Sequence, residues 1–248
     1  MNRIRFIFRL FGIAFCLLYG MLEMFFLFPL YSKQRKLRAI QIWSHCVLAS
    51  CGMKLKTYGT LPERGRGQMM ICNHISWLDI MAINAAFPGR FVAKDDVAKW
   101  PVIGYLATQA QTVYVARKKG TGGNGEKIRH VTEALQNGDT VTLFPEGTST
   151  EGHEILPFKT SFFQAPYDAG TPLIPVLCRY PNPDGSSPNP HMAYYGDISL
   201  WSSIRSVISQ RRSMVELHFL EPLPASPERQ ETAREIHRRL SEKQKELG

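Results

Sequence analysis

The chain has 248 residues, 44% of them hydrophobic, and carries 30 Lys and Arg against 21 Asp and Glu, a formal charge of +9. That length suits one sizeable α/β domain with an appendage and leaves little room for two full domains. Residues 1–56 hold nine of the basic residues against Glu23 alone, which argues against a nucleic-acid groove on the folded domain and for an anionic membrane surface, where each basic residue is worth about 1 kcal/mol.

From Ile4 to Leu30 the chain is overwhelmingly apolar and aromatic, broken by Arg5, Arg9 and Glu23, with thirteen uninterrupted residues from Leu10 to Leu22. Crossing the hydrocarbon core takes about 20 residues, so the segment either spans with help from its flank or lodges in one leaflet, and Glu23 then needs a partner or the interface. No small-x-small cleavage site follows it, which argues against a signal peptide. The basic flank Ser32-Lys33-Gln34-Arg35-Lys36-Leu37-Arg38 points to an anchor whose charged side faces the cytoplasm. Ile40, Trp43, Val47 and Leu48 predict a second amphipathic helix over Ala39–Ser50. Residues 1–54 therefore read as an anchoring segment and 55–248 as the main domain.

Beyond Leu55, short apolar runs alternate with helical stretches. Met69–Cys72, Phe91–Ala93, Thr112–Ala116, Thr140–Phe144 and Leu173–Cys178 are predicted strands. Trp77–Ala86, Gly125–Gln136 and Thr160–Ala169 are predicted helices. This alternation predicts a mainly parallel sheet covered by helices. After the Pro/Gly/Ser/Asn loop at 181–190, Met192–Tyr195 and Met214–Phe219 read as further strands. Ser226-Pro227-Glu228 reads as the start of a charged terminal helix, with Ala233, Ile236 and Leu240 as its apolar stripe. The five cysteines are odd in number, lack Cys-x-x-Cys spacing and lie mostly in apolar runs, as reduced structural thiols do.

The chemistry centres on Asn73-His74-Ile75-Ser76-Trp77-Leu78-Asp79. His74 follows a strand, and Ser76 reads as the cap of the helix behind it. On one continuous helix, residues five apart diverge by about 140°, so a turn at His74 is needed for Asp79 to point back at it. Histidine suits a general base near neutral pH, and a carboxylate on its far nitrogen fixes the tautomer and supports the imidazolium. Backbone amides around Trp77 are candidates to meet a developing oxyanion. Two more polar groups follow strands: Glu146, in Phe144-Pro145-Glu146-Gly147-Thr148, and Arg117. If the strands are parallel, all three residues stand on the edge where open α/β sheets bind ligands.

Gly120-Thr121-Gly122-Gly123-Asn124-Gly125 matches Gly-x-Gly-x-x-Gly, but Arg117-Lys118-Lys119 separate it from the strand, so the tight dinucleotide-binding turn is missing. Metal ligation by His74, Asp79 and Glu146 lacks a second nearby histidine.

Asn73-His74 with Asp79, then Phe144-Pro145-Glu146-Gly147-Thr148 and Leu173-Ile174-Pro175-Val176, resemble the glycerolipid acyltransferases of the 1-acylglycerol-3-phosphate acyltransferase superfamily over roughly residues 55–180. The resemblance implies His74 as general base and Asp79 as its partner, with Glu146, Gly147 and Thr148 in the acceptor-binding block. It also implies Arg117 at the acceptor's phosphate and Pro175 in shaping the acyl site. An acyl thioester donor follows, acyl-CoA or acyl carrier protein, with a lysolipid acceptor, membrane lipids as surroundings, and no metal, cofactor or nucleic acid. Phosphate-handling members commonly continue Glu-Gly-Thr with Arg, whereas Ser149 stands here; Arg117, Lys118, Lys119 or Lys159 would substitute. Trp77-Leu78-Asp79, the run Phe91 to Arg117 and Thr148-Ser149-Thr150 also resemble the lyso-ornithine lipid acyltransferase branch, whose acceptor has no phosphate. Lysophosphatidic acid is the first expectation and lyso-ornithine lipid the alternative. A membrane-anchored scaffold without catalysis is the rival from another class.

Overall fold

A computed structural model of the chain describes residues 3–115 and 124–248. Arg117, Lys118, Lys119 and most of the glycine-rich loop lie outside the described residues. Strands β1 (Met53–Tyr58), β2 (Gln68–Cys72), β3 (Arg90–Lys94), β4 (Val113–Val115), β5 (Thr140–Leu143), β6 (Leu173–Arg179) and β7 (Ser213–Phe219) form one sheet in the order β1-β7-β6-β2-β5-β3-β4. Every pairing is parallel except β6 with β7. The sheet is mainly parallel, and its β1–β7 end runs against the rest.

Both faces of the central strands are covered, which is why β2 reads as a continuous apolar run. Met70, Cys72, Ile174 and Val176 pack on one side with residues of α3 (Leu78–Ala86) and α7 (Leu200–Ser209). Met69, Ile71, Val141 and Leu173 pack on the other with α5 (Asn124–Gln136), α6 (Gln164–Ala169) and α8 (Arg229–Leu247). Ala233, Ile236 and Leu240 of α8 are buried in that second layer, as their stripe predicts.

Four expectations need correction. Met192–Tyr195 is irregular rather than a strand: the place beside β6 is taken by β7, and the segment instead crosses the turn at His74, where Tyr194 N–H donates to Ile75 C=O at 2.9 Å. Thr160–Ala169 begins as a 3-10 turn over Ser161–Phe163 and becomes α-helical only from Gln164; Pro166 has no N–H to extend the helix backwards. The terminal helix starts at Arg229, because Ser226 Oγ accepts from Glu228 N–H at 3.1 Å and Arg229 N–H turns to Pro227 C=O. The second helix, expected from Ala39, begins at Lys33 and takes in the basic flank. That flank forms the first turns of α2 (Lys33–Ser50), capped by Ser32 Oγ.

The N-terminal helix α1 spans Arg3–Leu22 and continues through a π turn and a 3-10 turn to Leu30. Its exposed large residues, Ile4, Ile7, Phe8, Phe11, Phe15, Leu18, Tyr19 and Leu22, recur at helical spacing and occupy one face about 120° wide. The opposite face meets protein: Ile13 joins the main core, and Trp43 Nε1 of α2 donates to Cys16 C=O at 2.7 Å. Arg5 and Arg9 donate to the carbonyls of Ser209, Ile208, Gln210 and Arg211, closing the end of α7. Cations are well placed at a helix C-terminus. Glu23 finds its partner in the Tyr31 hydroxyl. Between α3 and β4, α4 (Ile103–Gln109) brings Leu106 against Met24 and Phe28 of the N-terminal segment.

Candidate active site

Beyond the end of β2, Asn73 is buried and replaces the backbone in the ladder to β6: its Nδ2 donates to Cys178 C=O at 3.0 Å and its Oδ1 accepts from Cys178 N–H at 2.8 Å. The next residue leaves the strand as a turn. Its N–H donates to Glu146 Oε1 at 2.7 Å, and its carbonyl accepts from Thr150 N–H at 2.9 Å and from the Thr150 hydroxyl at 3.3 Å. The segment after β5 thus grips both sides of the His74 peptide.

Asp79 is wholly buried in the first turn of α3. One oxygen, Oδ2, accepts from His74 Nδ1 at 2.7 Å and from the amides of Ile75 and Ser76 at 2.7 and 2.9 Å. The other, Oδ1, accepts from the Tyr180 hydroxyl at 2.5 Å and from Cys178 Sγ at 3.4 Å. A buried carboxylate is tolerable only with such company. Burial pushes the Tyr180 phenol and the Cys178 thiol well above their ordinary pKa values, so both stay protonated as donors. The Nδ1 bond sets the imidazole tautomer and leaves Nε2 as the basic nitrogen. The ring is stacked on Phe144 at 4.1 Å between centroids, yet its side chain keeps 20% exposure. This is the geometry of a general base open on one side.

Ser76 does not act as the helix cap: Trp77 holds that position, and among the described residues the buried Ser76 hydroxyl has no partner. Asp79 has taken over the capping, reaching back to the amides ahead of it. The Ile75 and Ser76 amides are thereby withdrawn from any oxyanion.

Glu146 is buried with both oxygens engaged, Oε2 accepting from Leu156 N–H at 2.8 Å. Burial raises its pKa, and the hydrogen bonds from Leu156 and His74 partly offset this. Its side chain is therefore turned inward as a brace for His74 rather than towards an acceptor. Gly147 closes a turn with its N–H to Phe144 C=O and has φ +70°, a conformation suited to glycine. The Lys159 ammonium covers it, 2.3 Å from where a Cβ would stand, while Lys159 and Thr148 are both exposed. Of the expected acceptor set, Thr148 and Lys159 are exposed and Gly147 is partly so. Pro175 lies within β6, paired with Ile71; its carbonyl accepts from Leu220 N–H, just past the end of β7 at Phe219, so the missing N–H faces no strand. Arg117 lies outside the described residues. Sequence reasoning missed Cys178, Tyr180 and Tyr194, which reach the site across about a hundred residues with no local pattern to mark them. Thr148-Ser149-Thr150 gave a faint signal for Thr150. Among the described residues, no three His, Cys, Asp or Glu stand close enough to hold a metal.

Fold and site together define an α/β enzyme that carries a histidine–aspartate pair at the carboxyl edge of its sheet. The family model described as Acyltransferase matches residues 54–179. The chain is 34% identical over 184 residues to the 1-acyl-sn-glycerol-3-phosphate acyltransferase of Neisseria meningitidis serogroup B, covering 74% of this chain and 71% of that protein. It is 31% identical over 202 residues to the lyso-ornithine lipid O-acyltransferase of Brucella abortus, covering 76% and 75%. The crystal structure of the 1-acyl-sn-glycerophosphate acyltransferase PlsC from Thermotoga maritima shares the fold, with a TM-score of 0.73 at 20% identity over 99% of this chain and 95% of that one. The chain belongs to the acyltransferase family, and it is an acyltransferase enzyme.

Proposed function

We propose that the enzyme moves a fatty acyl group from an acyl thioester, carried by coenzyme A or acyl carrier protein, to the hydroxyl of a lysolipid, with lysophosphatidic acid as the acceptor and phosphatidic acid as product. One observation carries the reading: His74 is held by a buried carboxylate on Nδ1 and is open on its other side. His74 Nε2 takes the acceptor's hydroxyl proton as the oxygen attacks the thioester carbonyl; the carbon–sulfur bond breaks and the carrier leaves as a thiol. No acyl-enzyme and no cofactor enter the scheme, and positioning of the two substrates supplies much of the rate. Lys159, exposed over Gly147, is suited to a phosphate on the acceptor, and Arg117 is proposed for the same role.

The lyso-ornithine alternative has its own support. Ser149 stands where phosphate-handling members commonly carry Arg, and its hydroxyl is committed to Tyr194 C=O. Relatives named for that activity include the Brucella abortus protein.

Residues 1–54 serve as the anchoring segment and 55–248 as the catalytic domain. Because one face of α1 is apolar and exposed while the other is occupied by protein, the helix fits one leaflet, lying in the plane of the bilayer. Lys33, Arg35, Lys36 and Arg38 at the start of α2 favour the cytoplasmic face. The test is to offer purified enzyme one labelled acyl thioester with lysophosphatidic acid and lyso-ornithine lipid in equal amounts. Labelled phosphatidic acid is expected to dominate; labelled ornithine lipid would reverse the choice of acceptor.

A further inference from the structure

The reaction as proposed uses His74 and Asp79, yet the second oxygen of Asp79 faces β6 rather than the imidazole. There the Tyr180 hydroxyl donates at 2.5 Å, from a side chain with no solvent exposure, and Cys178 Sγ adds a weaker contact at 3.4 Å. Such an arrangement is costly to build, because a phenol in an apolar layer needs a partner and this one has been given the carboxylate that polarises the base. We propose that Tyr180 is a positioning residue of acyl transfer, which holds the Asp79 carboxylate in its rotamer and sets how strongly that carboxylate pulls on His74.

The inference rests on the acyl-transfer reading above. A hydrogen bond to Oδ1 draws negative charge away from Oδ2, so less of it supports a proton on the imidazole. Among the described residues, the other ionisable groups around the pair are Cys72 on β2, Cys178 on β6 and Glu146 after β5. Burial pushes both thiols well above their ordinary pKa and keeps them neutral, while Glu146 is bound to backbone amides. Tyr180 is thus the strongest donor on the far side of the carboxylate. Without it, Asp79 becomes more basic and the His74 imidazolium more stable. Both changes deplete the neutral base and ionised partner on the acid side, so the acid limb of the rate profile moves to higher pH.

The experiment compares wild type with Tyr180→Phe, which keeps the ring and removes the hydroxyl. Two quantities are read: kcat/KM against pH, and the His74 titration by NMR in histidine-labelled protein. In the variant the acid limb and the His74 titration are expected to rise together by about one unit, with kcat/KM falling several-fold more at pH 6 than at pH 8. A uniform loss with an unmoved limb and an unmoved His74 titration would overturn the proposal. Placing 3-fluorotyrosine at position 180 gives a second handle should Tyr180→Phe not fold: it strengthens the donor, and the limb is expected to move down, whereas no movement would overturn the proposal. Failure of wild type to acylate any lysolipid would instead strike at the reaction itself, and the NMR titration would still judge the Tyr180–Asp79–His74 linkage without turnover.

Discussion

Five donors converge on one buried carboxylate, and that economy makes Asp79 the least replaceable side chain after His74. Asp79→Asn presents an amide that cannot serve all of these donors and no longer enforces the Nδ1–H tautomer; kcat is expected to fall by about 10³ to 10⁴ with modest change in KM. Glu146 acts differently, through the peptide of His74. A carboxyl whose folded pKa is raised favours the folded state while protonated, and this contribution is lost as pH climbs from its ordinary value of 4.5 through the raised one. The thermal midpoint of wild type is therefore expected to fall relative to Glu146→Gln across that window, and parallel curves would contradict the assignment. Gly147→Ala puts a side chain at φ +70° beneath the Lys159 ammonium and is expected to cost about 1–2 kcal/mol in thermal unfolding. At this scale the local pair His74 and Asp79 was legible, because five residues and a turn suffice to join them. Tyr180 was not, since its role exists only once β6 lies beside β2. Ser76 misled because its hydroxyl suits a cap in isolation, while Asp79 three residues on had the better geometry.

Among the elements, those buried on both faces were the most readable: β2 and β6 are mostly apolar runs, and β5 alternates threonine with Val141 and Leu143, all of it buried. The edge strand β1 was not recognised, because Lys54 and Lys56 alternate with apolar residues and only Met53 is fully buried; lysines there guard an open edge. Helix α7 was missed for a related reason. Its place is fixed by distant partners, namely Arg5 and Arg9 at its end and Trp77, whose Nε1 donates to Ser203 Oγ at 3.1 Å. The segment Arg3–Leu30 is long and apolar enough to cross a bilayer by composition, but over Arg3–Leu22 its exposure is one-sided, which supports the in-plane anchor proposed above. Phe11 and Phe15 stand one turn apart on the exposed face. The double variant Phe11→Asp with Phe15→Asp is expected to weaken binding to phosphatidylglycerol-containing vesicles by more than tenfold while leaving the fold intact. Undiminished co-sedimentation would refute the in-plane anchor.

At the scale of the whole molecule, a two-faced sheet brings the strand ends of β2 and β5 together, and the apolar helix is bolted to the same body through α2 and α7. In the proposed scheme, a lipid hydroxyl meets the base at the bilayer surface. Mainly parallel order was foreseeable from the alternation of strands and helices; the reversal at β7 was not, because nothing in Met214–Phe219 records its direction. The central claim is that His74, held by Asp79, deprotonates a lysolipid hydroxyl. Its most direct measurement is the transfer of label from an acyl thioester to lysophosphatidic acid in vesicles by wild type and by His74→Ala, with folding and vesicle binding checked in parallel. Wild type is expected to form labelled diacyl lipid, and the variant to bind and fold normally yet turn over at least 10³-fold more slowly; equal turnover by the two proteins would contradict the account.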